Sequence, residues 1–191
     1  VDTLITILDR SLKTLFHAPS YYTEQKETVG RLMRVNYAGE VAAQGLYLGA
    51  WLASNNPSFK AFCIQSMQEE SLHLDWCLER MQAYQTSPSK MNAPIYFTAF
   101  GLGFTSALAG QSYALGFVEE TEKQVLDHLT NHQDLIPKTD TKTHEVISQM
   151  LIDEASHQKH AQEMGAKPLP SLCQDLMSVM GKALTTISYW V

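Results

Sequence analysis

Two Glu-x-x-His motifs hold the residues most able to do chemistry: Glu70-Ser71-Leu72-His73 and Glu154-Ala155-Ser156-His157. Residues three apart on a helix share a face, so each motif aims a carboxylate and an imidazole at one point. One motif alone means little, because a chain with this much Glu and His gives about half a match by chance. Spacing adds what the motifs lack. Glu40 and Glu70 are equidistant from Asn55, which lies in the expected turn Ser54-Asn55-Asn56-Pro57. Glu122 and Glu154 are equidistant from Lys138, beside Pro137. In an antiparallel helix pair, residues equidistant from the turn sit at one height, here about 20–25 Å from it at about 1.5 Å rise per residue. The two halves also repeat: Glu122 follows Glu40 at almost the interval by which Glu154 follows Glu70 and His157 follows His73. Two such hairpins face Glu40, Glu70, His73, Glu122, Glu154 and His157 toward one another.

Four Glu and two His inside a helical bundle form the donor set of ferritin-like di-iron and di-manganese carboxylate sites. Two divalent ions balance four carboxylates, which would be very costly to bury uncompensated. The oxygen-rich set disfavours zinc, which prefers Cys and His in closed tetrahedral sites. Oxygen with imidazole and open positions suits iron that meets dioxygen, with manganese the other candidate. Glu69 and Asp153 each precede a motif Glu, where one can receive the free ring N–H of a histidine across the bundle or remain a solvated charge. Glu119 shares a face with Glu122 and is the alternative ligand. Tyr37 and Tyr47 flank Glu40 at helical spacing, as pocket lining or as plain core. His128, farther along the same segment as Glu122, reads as an ordinary helix residue.

The elements that must carry these residues are helical almost throughout. Segments rich in Ala, Leu, Met, Gln and Glu alternate with short polar breaks, and no run has period two. The expected fold is all-α: an antiparallel four-helix bundle of the ferritin-like kind, with short extra helices at both termini, in one domain over 1–191. The four long helices are expected over about 26–53, 58–85, 93–134 and 140–164, with Gly165, Pro168 and Pro170 stopping the last. A further helix is expected over about 171–189. The amino terminus VDTLITILDRSLKTLF is interrupted by Asp2, Asp9, Arg10 and Lys13, and reads as an amphipathic helix rather than a secretory signal.

A formal charge of −6 argues against nucleic-acid binding, which needs a basic surface. Cys63, Cys77 and Cys173 are odd in number and lack a Cys-x-x-Cys, so they read as reduced thiols of a cytosolic protein. Residues 91–118 contain no Asp, Glu, Lys or Arg. Glycines and polar residues dilute the apolarity of this stretch, so it reads first as a buried bundle helix. The alternative is a helix with one face toward lipid or a greasy ligand.

The segments MRVNYAGEVAAQGLY (33–47), QEESLHLDW (68–76), LGFVEETEKQVLDHL (115–129) and IDEASHQKHA (152–161), with the ending KALTTISYW, resemble the demethoxyubiquinone hydroxylase family of ubiquinone biosynthesis, in its bacterial form. The resemblance covers nearly the whole chain. It implies a ferritin-like fold holding two iron ions on Glu40, Glu70, His73, Glu122, Glu154 and His157. It also implies hydroxylation of a polyprenylated demethoxybenzoquinone ring with O2. Tyr37 departs from the family, where many bacterial members have His, and this bears on pocket shape rather than metal binding. No Gly-x-Gly-x-x-Gly is present, so electrons are expected from an external donor or through the bound quinone. A polyprenyl tail demands a site open to the bilayer. The expectation is therefore a peripheral protein on the cytoplasmic side of the cell membrane, docked through 94–118 and helped by LTTISYWV, with self-association or a biosynthetic complex invited by the same surface. The rival readings are a di-iron oxidase or hydroxylase of another substrate, an iron-storage or structural di-metal bundle, and a metal-free bundle.

Overall fold

The computed structural model describes residues 21–191, with side chains from Glu24 onward. The amphipathic helix expected over VDTLITILDRSLKTLF lies outside the described residues. Six helices follow: α1 (Tyr21–Ala53), α2 (Pro57–Ala83), α3 (Asn92–Ala109), α4 (Gln111–Leu135), α5 (Thr141–Glu163) and α6 (Ser171–Trp190). No strand occurs among the described residues. α1 pairs with α2 and α4 with α5, and the two hairpins close a four-helix bundle of the expected ferritin-like, all-α kind.

Both hairpin turns are set by local chemistry. Asn56 caps α2, its Oδ1 accepting from Ser58 N at 2.9 Å and Phe59 N at 3.2 Å, and Pro57 opens the helix. Asp140 caps α5 by accepting from Thr143 N at 3.2 Å. It also takes the phenol of Tyr84 and, at 3.3 Å, the guanidinium of Arg80, which ties the end of α2 to the start of α5.

The expected third helix is two helices, not one. Gly110 has φ +135°, a conformation that L side chains rarely adopt, and it ends α3 and starts α4. α4 alone supplies the third bundle helix. Nor is α3 the buried bundle helix of the first reading. Of its residues only Gly103 and Ser106 are buried, while Phe97 is 69% and Leu108 65% exposed. α3 lies on the outside of α1, backbone against backbone. A β-carbon at Gly45, Gly49 or Gly103 would collide with the carbonyl oxygen of Tyr96, Phe100 or Leu46. The glycines that diluted the apolar stretch are thus its packing face. α6 runs outside α1 and α4. Arg34 anchors its end, donating through Nε to Ser87 O at 2.8 Å and through Nη1 to Tyr189 O at 3.4 Å.

The core is split. One apolar cluster contains Ala43, Leu46, Tyr47, Phe59, Phe62, Cys63, Leu115, Val118 and Ala161. The other contains Val29, Leu32, Met33, Cys77, Met81, Leu129, Ile147 and Met150. On every bundle helix, the chemistry-bearing residues fall between the two clusters. All three cysteines are free, as expected.

Candidate metal centre

The bundle brings all six expected residues into one buried layer: Glu40, Glu70, His73, Glu122, Glu154 and His157 are each exposed by 4% or less. They form two groups whose ligand atoms lie within 4.8 Å of one another, and each group could hold a metal ion. The first is Glu40, Glu70, His73 and Glu154; the second is Glu70, Glu122, Glu154 and His157. Glu70 and Glu154 belong to both.

The shared carboxylates divide their oxygens. Glu70 presents Oε2 to His73 Nδ1 at 3.1 Å and Oε1 to His157 Nδ1 at 3.3 Å. Glu154 presents Oε1 to His73 Nδ1 at 3.1 Å and Oε2 to His157 Nδ1 at 3.2 Å. Each of the two therefore has one oxygen beside each imidazole, the disposition that spans a pair of cations. Glu40 stands at the His73 end and Glu122 at the His157 end.

The outer ring nitrogens point away from this layer. His73 Nε2–H donates to Asp153 Oδ2 at 3.1 Å, and His157 Nε2–H to Glu69 Oε2 at 2.6 Å. Each acid serves the histidine of the opposite hairpin, which directs both Nδ1 atoms inward. The other oxygens of Glu69 and Asp153 accept from Gln65 at 3.1 Å and Gln149 at 2.9 Å. The internal repeat therefore extends one turn beyond the motifs.

Of the two α4 acids, Glu122 faces the layer. Glu119 turns outward and accepts from Gln162 at 2.7 Å. Tyr47, weighed as lining or core, does both: its ring belongs to the first cluster and its hydroxyl donates to Glu122 Oε1 at 2.7 Å. Tyr37 packs against the second cluster. His128 is more than the ordinary helix residue expected. It packs against His132, the rings tilted with centroids 3.8 Å apart, and both rings donate to Asn36 Oδ1, at 3.1 and 2.7 Å. The i, i+4 spacing of the two histidines was the available signal. Asn36, on another helix, gave none.

The residues fit a cation pair on three counts. Glu122 Oε2 is buried without a hydrogen-bond partner, and Glu70 Oε1 and Glu154 Oε1 meet only an Nδ1 that another carboxylate oxygen already faces; buried acceptors are rarely left so. The donor set is hard oxygen plus imidazole. Protonation also shows how poorly the layer tolerates bare charge. Burial and the neighbouring Glu70 push Glu40 up to about 8. Burial, with Glu154 and Glu70 beside it, holds Glu122 well above the carboxylate range. Burial opposes the charge on His157, yet hydrogen bonds to Glu154 and Glu70 outweigh it and push the ring up to about 12. Burial opposes the charge on His73 too, and Glu154, Glu40 and Glu70 together raise it in the same way.

The sequence profile described as "Ubiquinone biosynthesis protein COQ7" matches residues 27–188. The chain belongs to the COQ7 family. Its relatives include a 3-demethoxyubiquinol 3-hydroxylase of Coxiella burnetii (strain RSA 331 / Henzerling II), 42% identical over 168 residues, covering 88% of this chain and 78% of the relative. Another, of Francisella tularensis subsp. tularensis (strain WY96-3418), is 40% identical over 166 residues, covering 87% and 78%. The matched stretch of this COQ7-family chain contains the whole buried layer and all four bundle helices save the first turns of α1. The family resemblance read from the segments around Glu40, Glu70, Glu122 and Glu154 is therefore borne out.

Proposed function

We propose that this protein is a di-iron hydroxylase that adds one oxygen atom from O2 to the ring of a polyprenylated demethoxyubiquinol or its quinone. The observation that carries the reading is the sharing of Glu70 and Glu154 between two carboxylate–imidazole groups in a layer closed to solvent. The 3-demethoxyubiquinol 3-hydroxylases among its relatives supply the substrate class. Glu40 and His73 would hold one iron, Glu122 and His157 the other, and Glu70 and Glu154 both. Iron bound there supplies the activation of dioxygen. One oxygen atom enters a ring C–H bond as hydroxyl, the second leaves as water, and two electrons and two protons are consumed.

The chain's own residues do the rest. Asp153 and Glu69 orient the imidazoles. The two apolar clusters exclude bulk water from above and below the layer. No helix of the described residues is long and apolar enough to cross a membrane. The outward apolar residues of α3 and α6 instead support a peripheral position at the membrane that dissolves the substrate, on its cytoplasmic side. The electrons come from an external donor.

Aerobic turnover of a demethoxyquinone under 18O2, followed by mass spectrometry, tests the reading. One labelled oxygen should appear in the product ring, and Glu122→Ala should abolish it. Product without label, or full turnover and iron content in Glu122→Ala with loss in Glu119→Ala, would overturn the reaction or the ligand assignment respectively.

A further inference from the structure

The two halves of the metal layer are related by the internal repeat, and the repeat fails two helical turns beyond the lone carboxylates. Gln65, Glu69, Glu70 and His73 each have a counterpart at one constant interval, in Gln149, Asp153, Glu154 and His157, and the counterparts make matching contacts. Glu40 on α1 and Glu122 on α4 are the corresponding lone carboxylates. Two helical turns beyond Glu40 stands Tyr47, whose hydroxyl reaches across to Glu122. Two turns beyond Glu122 stands Leu129, fully buried and unable to donate a hydrogen bond. Glu122 therefore has a fixed partner, and no hydroxyl among the described residues hydrogen-bonds to Glu40.

We propose that Tyr47 is a positioning residue that makes the two metal positions unequal, a statement that rests on the reading of the layer as a two-metal centre. Its hydroxyl occupies Glu122 Oε1 and leaves Oε2, buried and without a hydrogen-bond partner, as the oxygen that would meet a metal. Glu122 is held in a single orientation. The tyrosine ring is itself held, edge-on to His157 at 6.3 Å and to Phe62 at 5.8 Å between ring centroids. The His157 position is pre-organised and binds tightly, because little rotamer freedom is lost there. The lone carboxylate at the His73 position has its hydrogen bonds to His73 and Glu70 within the layer itself, and no outside hydroxyl among the described residues fixes which of its oxygens would bind. The His73 position is the one whose coordination can change when a further ligand arrives.

The test is a titration of the chelator-stripped full chain with Co(II) under argon, followed by visible absorption, alongside Mössbauer spectra of the protein loaded with 57Fe(II). Wild type should take up two ions in two resolved steps and give two unequal quadrupole doublets. Tyr47→Phe removes only the hydroxyl, and its metal-free melting temperature reports whether the fold is kept. It should weaken one step by about 10- to 100-fold, leave the other within about threefold, and shift one doublet. In a Glu122→Ala background, which lacks the acceptor, Tyr47→Phe should add nothing. Two steps that weaken together, two that do not change, or an undiminished effect in the Glu122→Ala background would each overturn the role of Tyr47 while leaving the metal centre standing. A wild-type chain that takes up no Co(II) or Fe(II) would overturn the metal centre itself, and this inference with it.

Discussion

Glu40, Glu122, His73 and His157 all hold protons more firmly than free side chains do, and a metal must displace them. With Glu40 near 8 and His157 near 12, these two groups favour their protonated forms at pH 7. Metal binding should therefore release protons. Calorimetric titration in buffers of different ionisation heat will count them. Because protons compete with metal, affinity should fall as pH drops below about 12 and more steeply below about 8, and binding without proton release would contradict this account. The His128–His132 pair behaves in the opposite sense. Burial lowers His128 to about 4 and His132, beside it, to about 3. Unfolded histidine titrates near 6.5, so the unfolded chain gains protons first as pH falls. The stability held by this pair is complete above about pH 6.5 and is lost toward pH 4, on the order of 2 kcal/mol for each ring by pH 5. Urea unfolding of the metal-free protein at pH 7 and pH 5 should show a smaller loss for His132→Gln than for wild type.

Among the elements, α3 has the least usual packing. It rests on α1 through glycines, and at Gly103 the obstacle to a side chain is the backbone of Leu46, which cannot rotate away. Gly103→Val should cost about 1–3 kcal/mol by overpacking. The shift falls on α1 beside Tyr47, so metal affinity should drop along with the melting temperature. Thermal melts with and without Co(II) measure both, and a variant as stable as wild type would show that the close approach is not required. The four bundle helices differ in kind from α3. Each has an apolar segment on either side of its acidic residues, so each holds its ligands in the plane where the two clusters meet.

For the molecule as a whole, the outer surface is divided in character. The chain carries a net charge of −6, yet Phe97 and Leu108 on α3 and Leu172, Leu176, Val179 and Trp190 on α6 stand exposed. Burial of such residues in a bilayer boundary is favourable by the same area term that drives folding. In the proposed peripheral arrangement, the protein should float with liposomes. Phe97→Glu combined with Leu176→Glu should reduce the floated fraction severalfold and leave the melting temperature within a few degrees. A wild-type protein wholly in the aqueous fraction, with turnover indifferent to detergent, would sink the membrane proposal.

The hairpin midpoints, the nearly equal offsets between the two halves and the helical period were all properties of the sequence by itself. They were enough to predict that Glu40, Glu70, His73, Glu122, Glu154 and His157 would meet, because helices have a fixed rise and twist. The repeat also gave Glu122 precedence over Glu119. What only the tertiary structure decided depends on distances between helices that no period encodes. It broke the uncharged stretch at Gly110, where one backbone angle redirects the chain, and it put α3 outside the bundle because the glycines of α1 and α3 allow their backbones to touch. It let Glu70 and Glu154, rather than Glu40 and Glu122, divide their oxygens between the two imidazoles. It also turned the hydroxyl of Tyr47 onto Glu122 and gathered Asn36, His128 and His132. The buried carboxylate–imidazole layer was legible early because its geometry is that of single helices and their hairpins. Its asymmetry was not, because it depends on which side chain crosses the space between α1 and α4.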